Sequence, residues 1–304
     1  MATRTLPPSA APFVPARRRA TRRPATMKSK RWRPGRAWTT AGAYLALAAG
    51  GVLVVFPFAW MLATALKGPR EIFELHFWPH APTLSNIREV LLRTQFPRWF
   101  ANSLVVALAT TASVAFFDSL VGYTLAKLRF PGRTVAFVVI LSTLMIPTEM
   151  LVIPWYTMSA RLGWINTYWG IMFPGLMSAF GVFLMRQFMT GVPDELLDAA
   201  RMDGLSEFGL FTRIALPLVR PALAALCIFT FLGNWNAFLW PLIVIQTPAM
   251  RTLPVGIALF SGEAGSQWHL IMAASALAVV PVLAVFAFLQ KQIIEGVVLT
   301  GLRG

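Results

Sequence analysis

The segment DELLDAARMDGLSEFGLFTRIALP, residues 194–217, is a charged, amphipathic stretch within a chain that is 57% hydrophobic and only 13% charged. We refer to residues 194–217 as the island. Its charged residues are Asp194, Glu195, Asp198, Arg201, Asp203, Glu207 and Arg213. Charged side chains at this density are too costly to place in hydrocarbon. The apolar stretches on both sides exceed the roughly 20 residues that cross a bilayer. The sequence therefore predicts an all-α polytopic membrane protein with an ordered loop outside the membrane.

Six apolar stretches are predicted to span the membrane, with short polar connections between them. They cover about residues 40–66, 101–126, 134–157, 167–189, 219–245 and 269–289. The connection between the second and third stretches contains Lys127, Arg129 and Arg133 and no acid. By the positive-inside rule, this connection, both termini and the loop 190–218 are predicted to be cytoplasmic.

The first 36 residues carry eleven Lys or Arg and no acid. Such a tail can bind nucleic acid or an anionic membrane surface. Its Pro, Ala and Arg content favours a disordered cytoplasmic extension that helps to orient the first span, without a nucleic acid partner. The predicted domains are this basic extension, 1–36, and a transmembrane domain, 37–304.

Several classes of site have no support in the sequence. The single cysteine, Cys227, excludes an internal disulfide framework. The histidines His76, His80 and His269 are expected to have no companion ligands nearby, so no metal site is predicted. A GxxxxGK[ST] phosphate loop is absent from the sequence, as is a nucleophile–base constellation, so we expect no enzyme and no cofactor bound by this chain.

The island has the pattern of two helices joined at a glycine. Pro193 precedes two acids that suit a helix N-terminus, Gly204 is a natural stop, and Ser206 can cap a second helix. The first helix is predicted to present small residues to a partner, and the second to present aromatic anchors. The face of the first helix consists of Leu196, Ala199, Ala200 and Asp203. The face of the second consists of Phe208, Phe211 and Ala215, and the two phenylalanines are the anchors. A hairpin lying on lipid is the alternative, but its polar face would favour Lys and Arg over acids.

The run Asp198-Ala199-Ala200-x-x-Asp203-Gly204 resembles the Glu-Ala-Ala loop of ABC importer permeases. The flanking sequence is similar to the carbohydrate branch, specifically the second permease of maltose-type systems. The resemblance includes FLMRQFMTGVPDEL (183–196), FTFLGNWNAFLWPL (229–242), NSLVVAL (102–108), LAKLRFPGR (125–133), MIPTEMLVIPWY (145–156) and QKQIIEGVVLTGLRG (290–304). Two features depart from the family pattern: Asp198 replaces the usual Glu, and the C-terminal tail reads VVLTGLRG.

The resemblance implies the type I importer fold and a permease subunit in a bacterial inner membrane. This subunit would form half of a heterodimeric pathway for a sugar or polyol, together with a second, non-identical permease. Two ATPase subunits would use ATP, and an extracytoplasmic sugar-binding protein or lipoprotein would deliver the cargo. The predicted coupling residues are Asp198, Ala199, Ala200, Asp203, Gly204, Phe208 and Phe211.

Polar residues inside the predicted spans are candidates for the translocation path. Asn234 and Asn236 flank Trp235, a pattern suited to hydrogen bonding and ring stacking with a sugar, although the amides can instead tie helices together. Glu149 lies between Pro147 and Pro154, where a broken helix can face a cavity; its role stays open. Asp118 is expected to bond Ser119, Tyr123 or a partner subunit rather than to take part in transport.

Two other functions compete with sugar import. The same machine importing a glycerol-phosphate ester would require basic residues near the path, and spans 2–6 offer few beyond Arg186 and Arg251. A stand-alone secondary carrier or channel would work without ATP, and it would have no need of a projecting loop that docks an ATPase.

Overall fold

The computed structural model describes residues 35–262 and 265–301, and side chains within 42–262 and 266–291. The predicted extension, 1–36, falls almost wholly outside the described residues. By its contacts the chain divides into two compact units, 1–52 and 53–304. In the first unit, residues 35–52 are helical. All packing and sites below belong to the second unit.

The fold consists of helices and one short hairpin. The helices are α1 Gly35–Ala65, α2 Ser85–Arg93, α3 Phe96–Lys127, α4 Arg133–Ser142, α5 Val152–Arg161, α6 Tyr168–Met172, α7 Ala179–Thr190, α8 Asp194–Met202, α9 Glu207–Leu210, α10 Leu216–Leu218, α11 Arg220–Trp235, α12 Leu239–Val244, α13 Leu253–Ala258 and α14 Trp268–Gly301. Single 3-10 turns lie at Thr143–Met145, Thr148–Leu151, Phe173–Gly175 and Pro248–Met250, and a π-helical turn at Phe211–Ala215. The strands β1 Ser261–Gly262 and β2 Gly265–Ser266 pair antiparallel.

Three helices are long and apolar enough to cross a membrane without a break: Gly42–Ala65, Phe96–Lys127 and Trp268–Lys291. Three bent pairs qualify as broken spans, so the described chain contains up to six crossings. The pairs are Arg133–Met145 with Thr148–Arg161, Tyr168–Gly175 with Ala179–Thr190, and Glu207–Leu218 with Arg220–Trp235. In the last pair the first segment belongs to the island, and the second begins the predicted fifth span.

The predicted spans at 134–157, 167–189 and 219–245 each contain a break, and the break in the third lies at Pro147, beside Glu149, where the sequence indicated a broken helix. The third bends by 92° at Pro147, which has no N–H to continue the helix. The fourth bends by 45° before Ser178, whose hydroxyl caps α7 by accepting from Gly181 N at 2.8 Å. The fifth is interrupted between α11, which ends at Trp235, and α12, which begins at Leu239.

Helix α3 lies at the centre and packs against α7 and α11, and α11 in turn packs against α14. One buried cluster joins the C-terminal half of α3 to α7 and to the island. A second joins the N-terminal end of α3 to the end of α1, α2, α11 and α14. The island therefore shares an apolar core with the spans and is not a loose tether.

Candidate functional site

The island folds as the predicted helix–glycine–helix unit. Helix α8 begins after Pro193 and ends at Met202, and Gly204 follows in the left-handed conformation with φ +85°. Ser206 caps α9 by accepting a hydrogen bond from Gly209 N at 3.2 Å. Both helix starts carry acids in the first turn, where the helix dipole favours negative charge.

The second half of the island is more helical than expected. The chain continues through the π-helical turn Phe211–Ala215 into α10, and Pro217 lies within that last turn. The helical segment Glu207–Leu218 meets α11 at an angle of 84°. The island is thus joined to the fifth span by a sharp bend, with a single residue, Val219, between the two helical segments.

The inner face of the island belongs to the protein core. Leu197, Leu210 and Phe211 are almost fully inaccessible and pack with side chains of α3 and α7. Burial of such side chains is worth about 1.5–3 kcal/mol each. The predictions that Phe211 anchors a partner and that Ala200 lies on the partner face are wrong. Phe211 packs on Tyr123 with ring centroids 5.5 Å apart, and Ala200 is buried in the same cluster.

The outer face of the island presents apolar side chains to its surroundings. Leu196, Met202 and Phe208 are 48%, 87% and 56% exposed. Ala199 and Asp203 are also exposed on α8 and the residue that ends it. Spacing of three and four residues places Leu196, Ala199 and Asp203 on one side of the helix, as predicted. We call Leu196, Ala199, Met202, Asp203 and Phe208 the docking face.

Arg201 ties the two helices of the island together. Its Nη1 donates to Asp198 Oδ1 at 2.6 Å, and its Nε donates to Glu207 Oε1 at 2.8 Å. Glu207 also accepts from Tyr123 Oη of α3 at 3.1 Å. The Arg201 guanidinium lowers the pKa of the Glu207 carboxyl, mainly through its hydrogen bond to that group. Asp198 therefore holds the shape of the island by bonding to Arg201.

A second link joins the island to α3 at its other end. Lys127 Nζ, at the last residue of α3, donates to Asp194 Oδ1 at 2.6 Å and to the main-chain oxygen of Val192. Its ammonium lies over the start of α8 and lowers the pKa of the Asp194 carboxyl by hydrogen bonding. Tyr123 and Lys127, one turn apart on α3, thus hold the island at two points.

Sequence reasoning missed both of these anchors. Lys127 entered only as a cytoplasmic charge, and Tyr123 only as a partner for Asp118. The i,i+3 spacing of Asp198 and Arg201 is the one local signal that could have revealed a contact of this network. The pairing of Tyr123 with Glu207 bridges 84 positions of sequence, so no local pattern could show it.

The path candidates separate into two groups. The prediction that Trp235 stacks on a sugar is wrong, because this ring is only 2% exposed. It packs between Phe100 and Phe231, and its Nε1 donates to Ala278 O at 3.1 Å. Trp235 therefore ties α11 to α3 and α14.

The other three path candidates lie at breaks in spans. Asn234 and Asn236 lie at the end of α11, and their amides donate to main-chain oxygens four residues earlier, Thr230 O and Leu232 O. Asn236 is exposed and Asn234 is half-buried. Glu149 is exposed in the 3-10 turn after the bend at Pro147.

Comparison with known proteins supplies the family. Residues 118–298 match the profile of the binding-protein-dependent transport system inner membrane component. This chain belongs to that family. It is the permease subunit of an ABC importer, a multi-pass inner membrane protein, and not an enzyme. The match includes the island, α7 and α11 and begins in the C-terminal third of α3.

Curated relatives extend the similarity of this permease over most of its length. The arabinooligosaccharides transport system permease of Bacillus subtilis is 37% identical over 258 residues, covering 83% of this chain and 92% of the relative. The sn-glycerol-3-phosphate transport system permease of Pectobacterium atrosepticum is 34% identical, covering 84% and 94%. The lactose transport system permease of Rhizobium radiobacter is also 34% identical, covering 83% and 93%. The predicted resemblance to carbohydrate-branch permeases is confirmed.

A solved structure confirms the fold class. A bacterial ABC transporter involved in the import of the acidic polysaccharide alginate matches with a TM-score of 0.76 at 22% identity. The match covers 86% of this permease and 98% of that chain. The all-α importer permease fold predicted from the sequence is therefore confirmed.

Asp118 of the permease has a structural environment, but not the predicted one. It is fully buried in α3, and its carboxylate oxygens accept from the main-chain N of Ser178 at 3.2 and 3.1 Å. The predicted bonds to Ser119 or Tyr123 are wrong, because the carboxylate points to the N-terminus of α7. There it satisfies a main-chain donor at the break in the fourth span.

Two histidines of the permease also differ from expectation. His76 and His80 lie with ring centroids 4.8 Å apart, and the Glu74 carboxylate lies beside them. The prediction that the histidines lack companion ligands is therefore wrong for these two.

Proposed function

We propose that this permease forms half of a heterodimeric pathway that imports a neutral carbohydrate, an oligosaccharide, monosaccharide or polyol. ATPase subunits would drive it through the docking face. The observation that carries this proposal is the island itself: a rigid unit that exposes apolar side chains outside the spans while its inner face lies in their core. Exposed Leu, Met and Phe on a charged loop are typical of a surface that a partner covers.

The two links to α3 explain how movement of an ATPase would reach the spans. A partner that displaces α8 would pull on Asp194 and Glu207, which are bonded to Lys127 and Tyr123 of α3. Helix α3 packs against α7 and α11, so these three helices would move as one body. Packed interfaces of this kind switch between discrete arrangements and do not deform continuously.

The proposed partners rest on the family to which this permease belongs. Two ATPase subunits would use ATP, so this chain needs no cofactor of its own. A second, non-identical permease would complete the pathway, and an extracytoplasmic sugar-binding protein or lipoprotein would deliver the cargo. The proposed orientation places both termini and the island in the cytoplasm, supported by Lys127, Arg129 and Arg133 beside the island end of α3.

The cargo proposal rests on the polar groups at the breaks in spans. Amides such as Asn234 and Asn236 suit the hydroxyl groups of a sugar, and Glu149 can accept from them. A glycerol-phosphate ester is the alternative, since one of the relatives is a glycerol-3-phosphate permease. Against it, the guanidinium of Arg186 lies 3.9 Å from the ring centroid of Phe137 and is engaged there.

The test is uptake of radiolabelled sugar and ATP hydrolysis in proteoliposomes that contain the permease with its co-purified partners. Ala199→Arg places a bulky charge in the docking face and is expected to abolish both uptake and stimulation by the binding protein. Ala81→Arg, at an exposed alanine in the connection between α1 and α2, is the matched control and should keep both.

Uptake that proceeds without ATPase subunits would support the stand-alone carrier and reject the proposal. Equal uptake by the Ala199→Arg and Ala81→Arg variants would remove the docking face from the mechanism. If glycerol phosphate competes for uptake and neutral sugars do not, the imported substrate is the glycerol-phosphate ester.

A further inference from the structure

The connection between α1 and α2 brings three ligand-type side chains together. The ligand atoms of Glu74, His76 and His80 all lie within 4.8 Å of one another. His76 Nε2 is 3.9 Å from Glu74 Oε2. Two imidazoles and a carboxylate are a ligand set that Zn²⁺ and related transition metals bind with a fourth position open. Ligand atoms around such an ion are about 3.4 Å apart, so exposed side chains need to move by only about 1 Å.

A buried lysine fixes the backbone that carries these ligands. Lys67 is fully buried, and its Nζ donates to Glu74 O at 3.2 Å and to His76 O. These are the main-chain oxygens of two of the three ligand residues. Asn86 in turn holds Lys67, since its Nδ2 donates to Lys67 O at 2.7 Å. Burial of an ammonium group is costly unless hydrogen bonds compensate for the lost water. Here the compensating bonds of Lys67 go to the loop, so they hold its main chain in one conformation.

The third ligand and the middle of the loop are also anchored. His80 N donates to Glu71 Oε1 at 2.6 Å. Between the histidines, Phe77 packs on Phe56 and Trp60 with ring centroids 6.1 and 6.0 Å apart. The backbone is therefore held on both sides of the ligands while their side chains stay exposed. This is the preorganisation that a metal site requires.

We propose that Glu74, His76 and His80 form a binding site for a divalent transition-metal ion of the Zn²⁺ class. The open coordination position would take water or a group from a docked protein. The site lies in the connection between α1 and α2, whose flanking helices pack on the N-terminal end of α3, whereas the island packs on the C-terminal half of that helix, which is about 48 Å long. Its exposure to the outside rests on the proposed orientation, but its metal binding does not.

The test is Zn²⁺ binding by the full importer complex in detergent, purified through a tag without histidine and stripped of metal with a chelator. Isothermal titration is expected to show one site per permease chain. His76→Ala, His80→Ala and Glu74→Gln are each expected to weaken it by at least about 10-fold. His269→Ala removes a histidine of α14 outside the cluster and should bind like the wild type.

Co²⁺ provides a readout that needs no variant. Bound at this site it is expected to give the visible absorption of a low-coordinate ion, and Zn²⁺ should displace it. Wild-type protein that binds no ion above the His76→Ala/His80→Ala variant, or a Co²⁺ spectrum like that of the hydrated ion, would overturn the proposal. Neither result would affect the proposed transport function, since uptake is measured separately.

Discussion

Gly204 shows how a single residue sets the shape of the island. Its φ of +85° is reached only at a cost by residues with a Cβ, yet a Cβ built there meets nothing within 4 Å. The requirement for glycine at this position is therefore conformational and not steric. The sharp exit from α8 depends on it, and with that exit the pairing of Arg201 with Glu207.

Gly204→Val is expected to destabilise the island by about 1–2 kcal/mol, because the left-handed conformation disfavours a branched side chain. Amide hydrogen exchange over 194–215 would then be roughly 5–30-fold faster. Gly204→Asn should have a smaller effect, since Asn tolerates this conformation. Gly209→Ala is the control, because its new Cβ makes only ordinary contacts. Equal exchange in all four proteins would show that the turn does not depend on φ.

The island should loosen in acid. The pKa values of Glu207 and Asp194 are lowered in the folded island, by Arg201 and Lys127 respectively. A carboxylate with a lowered pKa stabilises the fold fully above its ordinary value, 4.5 for Glu207, and loses this contribution as pH falls through the lowered value. We expect a spin label at Met202→Cys, with Cys227→Ser, to keep one mobility from neutral pH to about 5 and to become more mobile below 4.

Glu207→Gln serves as the control for this titration. The variant lacks the charge that Arg201 and Tyr123 hold, so the label should already be mobile at neutral pH and change less in acid. If wild type and variant are equally immobile at neutral pH, the network does not order the island.

At the scale of the elements, α3 and α7 approach closely at two small residues. A Cβ at Gly122 would lie 2.8 Å from Met185 Cβ and Arg186 N, and one at Gly181 would lie 2.1 Å from Asp118 Oδ2. Glycines at helix contacts permit such close approach in membrane proteins. At the second contact the buried Asp118 carboxylate meets the N-terminus of α7, so one crossing joins packing and hydrogen bonding.

Gly181→Ala is expected to disrupt this crossing, because the added methyl group displaces either the Asp118 carboxylate or the helix. Overpacking of this kind costs about 1–3 kcal/mol. Asp118→Asn keeps an oxygen for Ser178 N, so uptake should stay mostly intact. The measurements are the thermal unfolding midpoint of the complex in detergent and uptake, with Gly233→Ala as a helical control whose Cβ meets nothing within 4 Å. Loss of uptake in Asp118→Asn with normal assembly would give this acid a part in transport.

At the scale of the whole molecule, the structure places two exposed loops at opposite ends of α3. Leu75 in the connection between α1 and α2 is 92% exposed, and Met202 in the island is 87% exposed. The proposed orientation puts the former outside and the latter in the cytoplasm. The fold is the same in either orientation across the membrane. The distribution of Lys and Arg is what indicates the orientation.

We expect Leu75→Cys to react with a membrane-impermeant maleimide in intact spheroplasts, and Met202→Cys only in inside-out vesicles. Both are made with Cys227→Ser, so that the introduced thiol is the only one in the chain. Binding of the ATPase subunits is expected to protect Met202→Cys and not Leu75→Cys. The reverse pattern of labelling would invert the orientation and remove the island from the cytoplasm.

The sequence by itself determined the class of this protein. Long apolar stretches demand helices in a bilayer, where every main-chain polar group must be bonded internally. The charges of the island exclude it from hydrocarbon, and Pro193, Gly204 and Ser206 specify its helix ends locally. For this reason the start of α8, its stop at Gly204 and the cap of α9 agree with the sequence, whereas the helical continuation to Leu218 does not follow from it.

Tertiary structure alone decided which side of each helix is covered and which distant residues meet. Phe211 and Trp235 have the residue type of a binding anchor, but packing on α3 makes them core. The pairing of Tyr123 with Glu207, the contact of Asp118 with Ser178 and the meeting of His76 with His80 depend on helix crossings and loop anchors. Helical periodicity shows that a face exists, and only the arrangement of neighbouring elements shows what that face touches.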